Sequence, residues 1–209
     1  MIVKHALFPP LDNNCYLIWD EATNTSALVD CSIWNDDMKS LIGDTDLQYI
    51  LLTHGHFDHI GGVCEVQRRY GAKAVIAEQD ADMLCSPLRS LASFSGGRQE
   101  CTKADITVKD GDVVRVGSIT VNVMSTPGHT KGSVCYLAKD CLFTGDTLFC
   151  ESCGRTDFPG GSQKEMLQSL KRLALLDGDY KVYPGHDELS TLSHEIQFNR
   201  IMQYGLKEY

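Results

Sequence analysis

Seven side chains of the kind that bind metal ions fall in four short segments of this chain, and five of its seven histidines are among them. The seven residues are His54, His56, Asp58, His59, His129, Asp146 and His186. Neutral imidazoles and carboxylates suit zinc, iron and manganese, and seven such groups exceed the needs of one tetrahedral ion. The chain must therefore fold so that distant segments converge, and the pattern favours a two-metal hydrolytic centre.

Each of these segments follows residues with strand propensity. Residues 49–52 form a continuous apolar run that ends just before His54, as expected for a strand buried on both faces. A glycine lets each segment turn sharply. The three later segments share one design: Pro127-Gly128-His129, Thr144-Gly145-Asp146 and Pro184-Gly185-His186. A single histidine in such a turn is more often structural, but the repeated design indicates one shared site.

The rest of the chain alternates strand and helix patterns, which is typical of layered α/β folds. Further strands are expected over residues 3–8, 16–19, 27–30, 106–108, 113–116, 119–123, 134–137 and 141–144. Asp110-Gly111 and Gly117-Ser118 predict tight hairpins within residues 106–123. Helices are expected over residues 58–70, after a capping box of Ser162 and Glu165, and over 194–204. Residues 85–103, rich in Ser, Gly and Arg, are predicted to form a mobile loop.

The length and the net charge of the chain limit its domain organisation and the classes of substrate that it can bind. A chain of 209 residues predicts one catalytic domain over residues 1–209. The formal net charge of -9 argues against an extended nucleic-acid surface, so a small-molecule substrate is favoured. No apolar run approaches the length of a membrane span, and the first residues show no secretory signal. We therefore expect a cytoplasmic protein that acts without a membrane.

Nine cysteines, an odd number without regular spacing, predict reduced thiols rather than a disulfide framework. Cys150 and Cys153 form a Cys-x-x-Cys pair shortly after Asp146, which leaves a redox or auxiliary role open. A zinc ribbon would need a second such pair, and the sequence has none. Local packing is the favoured interpretation of this pair.

The metallo-β-lactamase superfamily has a ligand motif that residues 53–62, THGHFDHIGG, closely resemble. The segments around His129, Asp146 and His186 are similar to its remaining ligand segments and occur in the same order. The resemblance covers nearly the whole chain. It implies a four-layer αββα sandwich, with the metals at one edge of two packed sheets.

The resemblance also implies which residues hold each metal. One ion would be bound by His54, His56 and His129. The other would be bound by Asp58, His59 and His186, and Asp146 would bridge the two. Two divalent ions are implied, with zinc favoured and iron or manganese as alternatives.

Residues 143–149 and 154–158 look most like the glyoxalase II group of this superfamily. Few residues follow His186, so we expect the short bacterial type, without the C-terminal helical domain of full-length glyoxalase II. This group hydrolyses S-acyl thioesters such as 2-hydroxyacyl glutathione, with a hydroxide held between the metals. Asp58 would act as a catalytic residue that orients the hydroxide and relays its proton. Arg155 would bind a substrate carboxylate, or else pair internally with Asp157.

The main alternative is a persulfide dioxygenase, a group of the same superfamily that is similar around residues 154–158. Such an enzyme would use one iron, held by His54, His129 and Asp146. The segment Pro184-Gly185-His186 favours the hydrolase, because the dioxygenases usually carry Ala before that histidine.

Three other functions are disfavoured. Zinc lactamases commonly have cysteine where Asp146 stands, and nucleases of the superfamily bring extra domains or an RNA-binding arm. A scaffold without activity would be expected to lack some of the seven ligands. His5 and His194 lie outside the matched segments, and we expect both to be structural or at the surface.

Overall fold

The computed structural model describes residues 1–96 and 99–208. Within them, the first of two six-stranded sheets keeps its strands in chain order. The first three strands pair antiparallel, and the third to sixth pair parallel. The strands are β1 (Ile2–Phe8), β2 (Asn13–Asp20), β3 (Thr25–Val29), β4 (Asp46–Leu51), β5 (Lys73–Ala77) and β6 (Ile106–Val108).

The second sheet contains the later strands in the order β12-β11-β10-β9-β8-β7. Its neighbours pair antiparallel except for β10 and β11, which are parallel. The strands are β7 (Val113–Val116), β8 (Ile119–Ser125), β9 (Val134–Ala138), β10 (Cys141–Gly145), β11 (Lys181–Pro184) and β12 (Ser190–Thr191).

Helices follow the capping rules that the sequence suggests. Ser162 caps a helix by accepting a hydrogen bond from the Glu165 amide at 3.3 Å, and Asn35 caps another through the Met38 amide at 2.9 Å. The helices are α1 (Asp36–Ile42), α2 (Phe57–Ile60), α3 (Val63–Tyr70), α4 (Ala92–Ser95), α5 (Gln163–Ala174), α6 (Leu192–Phe198) and α7 (Arg200–Glu208), with a 3-10 helix at Glu78–Cys85. None of the helices described is long and apolar enough to cross a membrane.

Three apolar clusters separate four layers. Alternate residues of a strand point to opposite faces, so Leu17 of β2 packs outward against α1 and α3 while Ile18 packs inward against the second sheet. In the second sheet, Tyr136 of β9 faces inward, and Cys135 faces the helices α5 to α7. The fold is therefore an αββα sandwich, which confirms the expected α/β class.

One of the two predicted hairpins does not form, because tertiary contacts place its strands in different sheets. The Asp110-Gly111 turn does not close a hairpin, since β6 pairs parallel with β5 and β7 belongs to the other sheet. The turn instead lies against the end of β8, where the Gly111 amide donates to the Val123 carbonyl at 3.0 Å. The hairpin at Gly117-Ser118 is confirmed, with β7 and β8 antiparallel.

Two predicted helices each form as a pair. The helix expected over 58–70 divides at Gly61-Gly62, where the Gly62 amide donates to the Cys31 carbonyl at 2.9 Å. The helix expected over 194–204 divides at Asn199, whose side chain accepts from the Met202 amide at 3.1 Å and so begins α7. No strand was predicted at β5 and no helix at α1, whereas the strand expected ahead of the Gly185-His186 turn forms as β11.

The expectation that every thiol is reduced was wrong for one pair. Cys85 and Cys101 form a disulfide that closes a segment with a sequence separation of 16. The Thr102 amide donates to the Leu84 carbonyl at 3.1 Å, which brings the two cysteines together through tertiary contacts that spacing alone does not show. The seven other cysteines are free, including Cys150 and Cys153. Residues 97 and 98 of the predicted mobile loop lie outside the described residues, and its mobility stays a prediction.

Replacing both cysteines (Cys85→Ser with Cys101→Ser) should lower the free energy of unfolding by about 2 to 4 kcal/mol, because the cross-link restricts the unfolded chain. Urea unfolding without reductant measures this change. Cys64→Ser, which removes a free thiol, is the control. If the double variant unfolds at the same urea concentration as the unaltered protein, the cross-link contributes no stability.

Candidate metal centre

The ligand-type residues come from strand ends at one edge of both sheets. His54 follows β4 in the first sheet, whereas His129, Asp146 and His186 follow β8, β10 and β11 in the second. Backbone hydrogen bonds join these loops: the Val134 amide donates to the Thr53 carbonyl at 2.8 Å. The loops that carry the ligand-type residues therefore meet at one edge of the two sheets.

Glycine is needed at two of these turns because no side chain would fit. A Cβ at Gly55 would lie 2.5 Å from the Met83 Cβ, so this glycine lets the 3-10 helix approach the His54–His56 turn closely. Gly128 has φ +147, and its Cβ would lie 2.5 Å from the Met166 Cα of α5. The turn that presents His129 is thus packed directly on α5.

The first group of ligand-type atoms belongs to His54, His56 and His129, which lie within 4.8 Å of one another. His56 Nδ1 and His129 Nε2 are 2.8 Å apart. All three side chains are buried, and His54 Nε2 has no hydrogen-bond partner among the described residues. A buried, unpartnered ring nitrogen is what a metal ligand looks like without its ion.

The second group belongs to Asp58, His59 and His186, again within 4.8 Å. His59 Nε2 lies 3.3 Å from His186 Nε2 and 3.6 Å from Asp58 Oδ2. His186 Nε2 is 3.4 Å from the same carboxylate oxygen. Three donor atoms thus face a common point from the start of α2 and the loop after β11.

Asp146 lies between the two groups. Its Oδ2 is 3.4 Å from His129 Nε2 in the first group and 3.7 Å from His186 Nε2 in the second. Its Oδ1 is 3.3 Å from His59 Nε2 but makes no hydrogen bond of good geometry. This is the position that a carboxylate shared by two ions would need.

Most of the histidines are oriented by a bond from the other ring nitrogen. His59 Nδ1 is 2.9 Å from Asp30 Oδ2, and His129 Nδ1 is 2.7 Å from the Arg155 carbonyl. His186 Nδ1 is 3.2 Å from the Leu11 carbonyl. Such bonds keep a proton on Nδ1 and aim the Nε2 lone pair into the site.

Two buried carboxylates that support the site were missed by the sequence analysis. Asp30 accepts from the Thr53 amide and hydroxyl, each at 2.8 Å. Asp80 accepts from the Gly55 amide at 3.1 Å and the Thr130 hydroxyl at 2.6 Å, which ties the two histidine loops together. Neither aspartate belongs to a recognisable motif, because each is defined only by what it contacts in three dimensions.

Asn13 is a third missed residue. Its side-chain amide donates to Asp58 Oδ2 at 3.1 Å, and its own Oδ1 is buried without a partner. It begins β2, so a strand at the opposite end of the sequence reaches the centre. A single asparagine carries no sequence signal for this role.

Burial and the neighbouring histidines hold the pKa of His54 well below its usual value. Burial and His129 lower the pKa of His56 to about 3. Burial opposes ionisation of Asp146, but His59 and His129 outweigh it and lower its pKa to about 2. At neutral pH these groups are thus in the neutral-imidazole and carboxylate forms that bind metal ions.

In the second group, the neighbouring carboxylates favour the protonated form of both histidines. Burial alone would lower the pKa of His59, yet Asp146, Asp58 and Asp30 raise it well above its usual value. Burial likewise opposes the charged form of His186, but a hydrogen bond to Asp58 raises its pKa. A metal ion bound here would compete with protons for these two rings.

Arg155 forms the internal ion pair that was one of its two expected roles. Its Nε lies 2.7 Å from Asp157 Oδ1, and a terminal nitrogen lies 2.6 Å from Oδ2. The guanidinium also lies 4.0 Å above the Phe158 ring. Arg155 borders a cavity of about 660 Å³ that opens onto His56, His129 and Asp146.

The remaining histidines lie away from the centre. His5 Nε2 is 2.6 Å from Asn14 Oδ1, and His194 Nε2 is 3.1 Å from Glu151 Oε1. Cys150, His194 and Glu195 have ligand-type atoms within 4.8 Å. The Glu195 carboxylate is already occupied, since its Oε2 accepts from the Glu151 amide at 2.8 Å and the Asn199 side chain at 2.9 Å.

Comparison with known families identifies the superfamily of this chain. The family model of the metallo-beta-lactamase superfamily matches residues 8–186. The chain therefore belongs to the metallo-β-lactamase superfamily of metal-binding hydrolases.

Relatives include enzymes with named reactions. A hydroxyacylglutathione hydrolase of Rhodopseudomonas palustris is 36% identical over 183 residues, covering 84% of this chain and 63% of that protein. A probable polyketide biosynthesis zinc-dependent hydrolase, PksB of Bacillus subtilis, is 29% identical over 204 residues, covering 94% of this chain and 84% of that protein.

Solved structures agree on the fold. BLEG-1 B3 metallo-β-lactamase has a TM-score of 0.89 at 29% identity, covering 96% of this chain and 99% of that one. ETHE1 from Myxococcus xanthus has a TM-score of 0.81 at 30% identity, covering 99% of this chain and 88% of that one. TTHA1623 in a di-iron-bound form has a TM-score of 0.83 at 28% identity, covering 94% of this chain and 98% of that one. These names span several activities, so the family is shared but the reaction differs among members.

Asp30→Asn should weaken binding of the metal ion that His59 would hold by about 10- to 100-fold. Both oxygens of Asp30 accept hydrogen bonds, so the NH2 group of the amide would face a donor, either the Thr53 amide or the His59 ring. Zinc titration in competition with a chelator measures the affinity. Asp105→Asn is the matched control, since Asp105 accepts from the Ala74 amide away from the centre. Equal affinity in the Asp30 variant and the unaltered protein would refute the positioning role.

Proposed function

We propose that this protein is a dinuclear metal-dependent hydrolase of S-acyl thioesters, similar to hydroxyacylglutathione hydrolases of the short bacterial type. The observation that carries the proposal is the position of Asp146 between two groups of three ligand-type side chains. Residues 1–209 would act as one catalytic domain in the cytoplasm. The substrate would be a small-molecule thioester, with no nucleic acid or membrane as partner.

The donor set supports two ions rather than one. Two groups of three side chains, with a shared carboxylate, give each ion four protein ligands. The similar structure of TTHA1623 was solved with two irons, and PksB is named a zinc-dependent hydrolase. Imidazole and carboxylate suit zinc, iron and manganese alike, and we favour zinc.

When bound, the metals would lower the pKa of a coordinated water and polarise the thioester carbonyl. Asp58 and Asp146 offset only half of the charge of two divalent ions. The buried site therefore keeps a net positive charge, which favours negative charge developing on a carbonyl oxygen. A thiolate is a stable leaving group, so the reaction does not require a separate strong acid.

Asp58 is the residue that we assign to proton transfer. Burial opposes its ionisation, but His59, His186 and Asn13 hold its pKa below the usual value, so it is a carboxylate at neutral pH. The Asn13 amide fixes Oδ2 at 3.1 Å. Asp58 can therefore orient the attacking water and accept its proton without first losing one.

Arg155 is proposed to bind an anionic group of the thiol carrier. The guanidinium is exposed at the cavity rim and paired with Asp157. A substrate carboxylate would have to exchange with Asp157, so the expected gain in affinity is modest.

The alternative is a persulfide dioxygenase with one iron held by His54, His129 and Asp146. The resemblance around residues 154–158 supports it. The same seven side chains would then leave the second group without an ion, which the close approach of Asp58, His59 and His186 does not favour.

The zinc-loaded protein should release thiol from S-D-lactoylglutathione or related acyl thioesters. His56→Ala and Asp146→Ala should each lower kcat/KM by at least about 1000-fold while circular dichroism stays native, because each removes a ligand. His194→Ala, which lies outside the centre, is the control.

Oxygen uptake on glutathione persulfide, measured in the same preparations, separates the alternative. Uptake by protein holding one iron, without any thiol release from thioesters, would contradict the proposal.

A further inference from the structure

The cavity beside the metal centre is walled largely by apolar side chains. Its volume of about 660 Å³ lies within the range of small-molecule sites, which run from roughly 300 to 1,000 Å³. The apolar wall consists of Leu11, Leu91, Phe94, Phe149, Phe158 and Pro159. Its polar lining includes five of the ligand-type residues: His56, Asp58, His129, Asp146 and His186. A molecule bound there meets hydrocarbon on the way to the metals.

Two of these apolar residues are exposed. Phe94 on α4 is 75% exposed, and Leu11 in the turn between β1 and β2 is 55% exposed. Exposed apolar side chains on the wall of a cavity offer a surface that a bound ligand can cover. They come from two separate segments, so they can enclose a ligand between them.

Aromatic rings also reach the reacting centre. The Phe158 ring centroid is 5.8 Å from that of His56, and the Phe149 ring centroid is 5.8 Å from that of His186. Each group of ligand-type residues thus has an aromatic neighbour on the cavity side. The part of a thioester that lies next to its carbonyl would contact these rings.

The scarcity of cationic side chains in the cavity wall also favours an apolar ligand. Arg155 is the one Lys or Arg among the described residues that line it. Its guanidinium is already paired with Asp157 at 2.6 Å and lies 4.0 Å from the Phe158 ring centroid. A carboxylated acyl chain would lose water there without gaining a free cationic partner, whereas an apolar chain would lose little.

We propose that this cavity binds the acyl group and that the preferred substrates carry an apolar acyl chain of medium length or an aromatic acyl group. Phe94 and Leu11 would determine this specificity. The inference rests on the proposed thioester hydrolysis. In that reaction the oxygen of water bonds to the acyl carbon and the carbon–sulfur bond breaks. The sulfur leaves with the electron pair and takes up a proton, giving a carboxylic acid and a thiol.

The test compares acetyl and octanoyl thioesters of N-acetylcysteamine, an uncharged thiol that keeps the leaving group constant. With the zinc-loaded protein, kcat/KM for the octanoyl ester should exceed that for the acetyl ester by about tenfold or more. Thiol release is measured with an aromatic disulfide, which reacts with the free thiol and liberates a coloured thiolate.

Phe94→Ala and Leu11→Ala should each lower the octanoyl-to-acetyl ratio, by about fivefold to tenfold, because each removes exposed apolar surface that the chain covers. Leu88→Ala is the matched control: Leu88 is 66% exposed in the same segment as Phe94 but does not line the cavity. All three positions are exposed, so the variants should fold.

The outcomes separate the inference from the proposal beneath it. Hydrolysis of both esters without preference for octanoyl would overturn the apolar specificity and leave thioester hydrolysis intact. If the protein prefers the octanoyl ester but neither variant reduces that preference, Phe94 and Leu11 do not determine the specificity. Absence of hydrolysis of any thioester would overturn the proposed function, and this inference with it.

Discussion

Two buried carboxylates hold the histidine-bearing segment between β4 and α2, and the site depends on them. Asp30 accepts a hydrogen bond from the Thr53 amide at the start of this segment and also orients His59. Asp80 binds the Gly55 amide and reaches across to the Thr130 hydroxyl beside His129. A buried charge is costly unless it is fully hydrogen-bonded, so these carboxylates and their donors specify one arrangement of the loops.

The centre itself gathers polar atoms that the protein alone does not satisfy. His54 Nε2 and Asp146 Oδ1 are buried without a hydrogen bond in the described residues, and each such atom costs about 1–3 kcal/mol. Metal ions would satisfy these atoms, so binding and folding should be coupled. A substrate that fills the apolar cavity beside the centre would displace water from it and so strengthen the electrostatic effects within the site.

What the sequence could predict was local or belonged to a motif. The helix start capped by Ser162, the hairpin between β7 and β8 and the αββα class are confirmed, although the Ser162 amide donates to the Gly128 carbonyl and not to Glu165 as a capping box requires. The seven ligand-type residues do converge, although which of them bind metal stays a prediction. The supporting Asp30 and Asp80, the Cys85–Cys101 disulfide and the crossing from β6 to the second sheet were missed or wrong, because each arises from contacts between segments far apart in sequence.

The central claim is that these loops hold a pair of cations with Asp146 between them. Crystals of the zinc-loaded protein, measured for anomalous scattering at the zinc absorption edge, test it most directly. The account predicts two peaks, one beside His54, His56 and His129 and one beside Asp58, His59 and His186. A single peak in fully loaded crystals, or peaks away from Asp146, would contradict it.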